Sequence, residues 1–124
     1  MKKIVVVDDN AASRELIREL LDSPDHSIME AADGREALDL ILRSGPDLVL
    51  LDIQLPGLDG YSVVRSLRQD PRFARLKIVA VTAFAMQGDR ERVLTAGFDR
   101  YVTKPIDTHH LEEQVQELLQ DECI

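Results

Sequence analysis

Apolar residues gather into three short unbroken runs, Ile4-Val5-Val6-Val7, Leu48-Val49-Leu50-Leu51 and Ile78-Val79-Ala80-Val81. They are too short for buried helices, are together rich in β-branched residues, and do not alternate with polar positions. Such runs suit strands of a parallel sheet covered on both faces. Ser27-Ile28-Met29-Glu30-Ala31 and Arg100-Tyr101-Val102 are weaker, more mixed candidates, as edge strands would be.

Helical spacing fills the intervals. Leu16, Ile17, Leu20 and Leu21 are placed on one face of a first helix, with Asp9 or Asn10 as its cap. Asp33 followed by Glu36 reads as a capping box that opens a second helix. Ala37, Leu38, Ile41 and Leu42 then face inward, and Gly45-Pro46 stops it. Tyr61, Val64 and Leu67 mark a third helix begun at Asp59-Gly60, and Val93 and Leu94 a fourth that stops at Gly97. Asp107 caps a fifth, which buries Leu111, Val115, Leu118 and Leu119. The strict alternation predicts an α/β fold of the (βα)5 flavodoxin-like kind, a doubly wound five-stranded parallel sheet in the order 2-1-3-4-5. No linker, repeat or shift in composition divides the chain, so residues 1–124 are expected to form one domain.

Composition narrows the classes. A chain of 124 residues suits one core, and 44% apolar with 31% charged residues argues against disorder. A net charge of -8 opposes direct nucleic-acid binding, since phosphate backbones attract basic faces. Arg65, Arg68, Arg72, Arg75 and Lys77 lie close together and are expected to form a solvated helix end and loop. Cys123 is the only cysteine, in a tail expected to fray, so no internal disulfide can form. With no signal peptide and nothing near the roughly 20 apolar residues of a membrane span, a cytoplasmic protein is expected. His109 and His110 are neighbours on a helix and point apart, and no second cysteine exists, so structural zinc is set aside.

Open α/β sheets bind ligands beyond the carboxyl ends of their strands. The residues that follow the apolar runs and the last strand are Asp8-Asp9, Asp52, Thr82 and Lys104. Three carboxylates crowded together need an offset, or one of them takes up a proton. Mg2+ supplies it well, because it favours oxygen ligands and keeps waters and phosphate alongside. A carboxylate beside such a cation can attack phosphorus, and phosphoryl transfer then needs mainly positioning and charge neutralisation.

Four segments carry a resemblance: Val7-Asp8-Asp9-Asn10, the stretch from Leu51-Asp52 through Pro56-Gly57 to Asp59-Gly60, Val81-Thr82-Ala83, and Lys104-Pro105-Ile106. They resemble the signature segments of response-regulator receiver domains, in family order and spacing, over essentially the whole chain. The resemblance implies that Asp52 accepts a phosphoryl group with Mg2+, or Mn2+ in its place. Asp9, Asp52 and the backbone carbonyl of Gln54 would hold the metal, with Asp8 acting directly or through water. Lys104 would pair with the phosphoryl group, Thr82 would turn its hydroxyl toward it, and Tyr101 would be the switch aromatic. The bond from Lys104 to Pro105 would be cis.

The implied protein is a switch rather than an enzyme with a separate substrate. Its donor would be a histidine kinase or a histidine phosphotransfer protein. Its downstream protein target would meet the face made by helix four, strand five and helix five, with no direct nucleic-acid or membrane contact, as a monomer or weak dimer. Gln54 and Phe84, two positions beyond Asp52 and Thr82, would flank the phosphoryl group and set its lifetime. An aspartate-nucleophile phosphatase would need a second carboxylate where Gln54 stands, and a degenerate docking module would have lost key positions that are all kept here. The stretch from Ala83 to Arg92, followed by Ala96-Gly97, resembles both stand-alone cell-division-type regulators and receivers of hybrid kinases. The start at Met1 without a linker favours the stand-alone form, with a receiver excised from a hybrid kinase and acting in a phosphorelay as the alternative.

Overall fold

Successive residues of a strand face opposite sides of its sheet, so an unbroken apolar run needs cover on both sides. The computed structural model, which describes residues 2–55, 57–82, 89–104 and 107–120 with the side chains of residues 89, 90 and 120 set aside, shows that cover. The strands are β1 (Lys2–Val7), β2 (His26–Ala31), β3 (Leu48–Asp52), β4 (Lys77–Thr82) and β5 (Arg100–Thr103). Between and after them run α1 (Ala11–Leu21), α2 (Gly34–Ser44), α3 (Gly60–Arg68), α4 (Asp89–Ala96) and α5 (Thr108–Gln120). A 3-10 turn at Pro71–Phe73 precedes β4.

All pairings are parallel, in the order β2-β1-β3-β4-β5, as the sequence predicts. The two mixed strands, β2 and β5, are the edges. Val5, Val7, Val49, Leu51, Ile78 and Ala80 belong to one core, shared with residues of α2, α3 and α4 such as Ile41, Val64 and Val93. Their neighbours Ile4, Val6, Leu48, Leu50, Val79 and Val81 belong to a second core, shared with Ile17 and Leu21 of α1 and with Leu111, Val115 and Leu118 of α5. These strand side chains are essentially inaccessible to solvent, and each Val, Leu or Ile among them contributes roughly 1.5–3 kcal/mol by burial.

Caps fix where the helices begin. Asn10, rather than Asp9, caps α1, accepting from the N–H groups of Ala12 and Ser13. Asp33, Asp59 and Asp107 cap α2, α3 and α5 in the same way, and such caps typically stabilise by about 1 kcal/mol. α4 ends at Gly97, whose φ of 119° lets Gly97 N–H reach Leu94 O and Phe98 N–H reach Val93 O.

Two expectations need correction. Leu16 and Leu42 are exposed, because each stands beside a buried Ile17 or Ile41. Adjacent helical residues lie about 100° apart, so a helix on a flat sheet buries only one of such a pair. Arg68 does not belong to a solvated charge run. Its guanidinium donates to the carbonyls of Phe73, Leu76 and Gly97 and to the Asp99 carboxylate. Phe84, Cys123, the Pro56 turn and the bond to Pro105 lie outside the described residues.

Candidate functional site

The strand register brings the chemistry together. Val7 pairs with Leu51, Asp52 with Val81 and Thr82 with Thr103, so the segments leaving these strands emerge at one edge. Asp8 and Asp52 are almost wholly buried there, as is Thr82, while Asp9 is exposed. Carboxylate oxygens of Asp8, Asp9 and Asp52 all lie within 4.8 Å of one another. Among the described residues no other group of three metal-ligating side chains comes together in this way.

Lys104 follows β5 and reaches back across the edge. Its Nζ donates to Asp8 Oδ2 at 2.8 Å and to Asp52 Oδ2 at 3.0 Å. Its own backbone N–H is tied to Thr82 O at 2.7 Å, which fixes the base of the side chain. The remaining oxygens of the two aspartates are held by local turns. Asn10 N–H donates to Asp8 Oδ1 and Gln54 N–H to Asp52 Oδ1. Gly60 shapes the turn after Asp52: a Cβ there would fall 2.8 Å from Asp52 O and 2.7 Å from Ile53 Cα, so no side chain fits.

The charges are unbalanced. Burial raises the Asp52 carboxyl above its ordinary value, and the proximity of Asp8 adds to this; the bonds from Lys104 and Gln54 N–H oppose it without cancelling it. Burial pulls the Lys104 ammonium down, yet its bonds to Asp8 and Asp52 outweigh that and leave it raised. The two directions agree physically. One ammonium shared by two carboxylates gains from both, while each carboxylate has only part of a partner. A group of carboxylate oxygens short of positive charge is what a hard cation such as Mg2+ requires, so the donor set fits that ion.

Every described residue that the motifs point to lies at or near this edge, and Tyr101 on β5 is half-buried against the first core. A cleft of about 530 Å³, lined by Asp9, Gln54, Asp59, Tyr61 and Arg92, opens beside it. No motif points to Arg14, which donates to the backbone carbonyl of Asp8 at 2.6 Å. Its signal is positional: helical side chains lean toward the amino terminus, so a long residue in the first turn of α1 lies over the preceding loop.

Residues 4–116 match the response regulator receiver domain model. The chain belongs to this family. It is 38% identical over 120 residues to the polar-differentiation response regulator DivK of Brucella anthropi, covering 97% of this chain and 98% of that one. A putative response regulator from Chloroflexus aurantiacus superposes with a TM-score of 0.90 at 30% identity, over 96% of this receiver and 98% of that chain. The receiver domain of the Pseudomonas aeruginosa sensor histidine kinase PA1611, with a magnesium ion coordinated in its active-site cleft, gives 0.87 at 36% identity over 96% and 98%. Among the described residues of this receiver, no helix is long and apolar enough to cross a membrane.

Proposed function

We propose that this receiver is a phosphorylation switch whose acceptor is Asp52. The observation that carries the reading is Lys104 Nζ within hydrogen-bond reach of both Asp8 and Asp52, beyond the carboxyl edge of the sheet. An Asp52 oxygen attacks the phosphorus of a phosphohistidine on a histidine kinase or phosphotransfer protein. The P–N bond breaks, the imidazole leaves and takes up a proton, and Asp52 becomes an acyl phosphate. Asp9, Asp52 and the Gln54 carbonyl would hold Mg2+, which when bound neutralises charge on the phosphoryl oxygens. Lys104 moves from carboxylate to phosphoryl oxygen, and the Thr82 hydroxyl turns inward to donate to another. Tyr101 follows, and the face of α4, β5 and α5 changes shape for a protein target. Such a switch needs about 5.5 kcal/mol of differential stabilisation to pass from roughly 1:99 to 99:1.

Incubation with acetyl phosphate and Mg2+ should add one phosphoryl group to the intact mass, and Asp52→Asn should abolish the gain. An unmodified wild type, or labelling that survives in the variant, sinks the reading. The likeness to a sensor-kinase receiver favours a second role, as an intermediate in a phosphorelay. Return of the phosphoryl group from Asp52 to a histidine phosphotransfer protein, followed by radiolabel, separates that role from a terminal switch.

A further inference from the structure

Resting on that reading of the acidic edge, we propose that Arg14 is a positioning residue. With Glu30 it fixes the peptide plane between Asp8 and Asp9, and so governs how tightly the edge holds a divalent cation. Arg14 Nη1 donates to Asp8 O at 2.6 Å, and its Nε donates to Glu30 Oε1 at 3.3 Å. The other oxygen of Glu30 is taken by Arg18 Nη1 at 2.8 Å. Glu30 belongs to β2, where it pairs with Val6 of β1. One planar guanidinium thus ties the first turn of α1, the end of β1 and the edge strand together. Only 19% of the Arg14 side chain and 28% of Glu30 are exposed, so water competes weakly for these bonds.

The carbonyl that Arg14 holds is half of the peptide unit joining Asp8 to Asp9. Peptide units are planar, so fixing that oxygen, with Asp8 N–H already bonded to Ala31 O at 3.1 Å, fixes where the Asp9 Cα sits. Among the described residues Asp9 has no bond of its own, and there only this backbone aims its carboxylate. Asp8 differs: its Oδ1 and Oδ2 are already held by Asn10 N–H and by Lys104. A partner that orients a ligand without touching the metal commonly changes affinity by about 10- to 100-fold.

Charge alone predicts the opposite sign. A guanidinium bonded to the backbone of the acidic edge repels an incoming cation, so its removal would tighten binding. Positioning predicts that removal weakens it, and that lysine does not substitute, because only the fork reaches Asp8 O and Glu30 together.

The test is a Mg2+ titration of the full chain followed by amide chemical shifts. Wild type, Arg14→Met, Arg14→Lys, Glu30→Gln and the site control Asp9→Asn are compared, each well below its own metal-free melting temperature. Arg14→Met and Arg14→Lys are both expected to bind about tenfold more weakly, with Glu30→Gln between them and wild type. Unchanged or tighter binding by Arg14→Met overturns the proposal. So does wild-type affinity in Arg14→Lys, or a lowered melting temperature with affinity intact. If wild type binds no Mg2+, or Asp9→Asn binds as well as wild type, the reading of the edge itself falls and takes this inference with it.

Discussion

At the amino ends of β4 and β5, Arg68 donates to three or more carbonyls and to Asp99, whose Oδ2 also accepts from Ile78 N–H at 2.7 Å. At the carboxyl ends of the same sheet, Lys104 is shared between Asp8 and Asp52, with Asp9 close by. Both centres are ionic clusters joined by hydrogen bonds, the first partly exposed and the second with Asp8 and Asp52 buried. The first has its donors matched to acceptors and one cation against one carboxylate. The second has one ammonium bonded to two of three carboxylates. In the first, each charged group has a partner; in the second, burial leaves an incomplete arrangement that an outside cation or phosphoryl group can finish. Completeness of charge, as well as depth of burial, separates the structural centre from the candidate site.

Removing Arg68 should have the largest effect on stability. Arg68→Met leaves the carbonyls of Phe73, Leu76 and Gly97 and the Asp99 carboxylate without their donor, at the junction of α3, β4 and the α4–β5 turn. With the pair 20% and 33% exposed, water recovers part of the loss. A fall of roughly 2–4 kcal/mol in urea unfolding is expected, with Asp52 labelling intact below the melting temperature. A loss under about 0.5 kcal/mol would place Arg68 among ordinary surface charges and break the comparison.

Matched Asp→Asn changes come next and should differ in sign. Asp99→Asn weakens a charge-assisted bond to Arg68 and is expected to lose about 1–2 kcal/mol. Asp52→Asn keeps the shape and an acceptor for Gln54 N–H while removing a crowded charge, and should hold or gain up to about 1 kcal/mol. Equal losses in the two variants would mean that the carboxyl edge is as complete as the amino end.

A pH series sharpens the same contrast. Burial raises folded Asp52 above its ordinary 3.8, so the folded state holds that proton more tightly than the unfolded chain does. Its contribution to stability is therefore present below 3.8 and is lost as pH rises through the folded value. The advantage of Asp52→Asn over wild type should open over that window and shrink when Mg2+ is added. A gap that stays constant with pH would show that Asp52 is not under electrostatic stress.

The fold was legible where one cause dominated. Runs such as Ile4 to Val7 can only be strands covered on both sides, and the residues just beyond them, Asp8, Asp52 and Thr82, fall at one edge by geometry. Leu16 and Leu42 were misjudged because apolar periodicity does not say which of two adjacent residues the helix turns inward. Arg68 and Arg14 escaped for another reason. Their acceptors are largely backbone carbonyls, at Leu76 and Gly97 in one case and at Asp8 in the other, and a carbonyl has no letter in the sequence.

Asp9 offers the smallest effect on stability and the cleanest separation of roles. It stands in the incomplete centre, yet it is exposed and, among the described residues, has neither a hydrogen bond nor an ion pair. Asn10, its neighbour, does the capping of α1. Asp9→Asn should therefore change unfolding free energy by no more than about 0.5 kcal/mol, as is usual for a surface substitution without a partner. The same change removes one of the charges left unmatched at the edge, so Mg2+ affinity and labelling by acetyl phosphate should both fall clearly. If stability falls by a kilocalorie or more while Mg2+ binding holds, Asp9 belongs to the scaffold, and the unfinished centre shrinks to Asp8, Asp52 and Lys104.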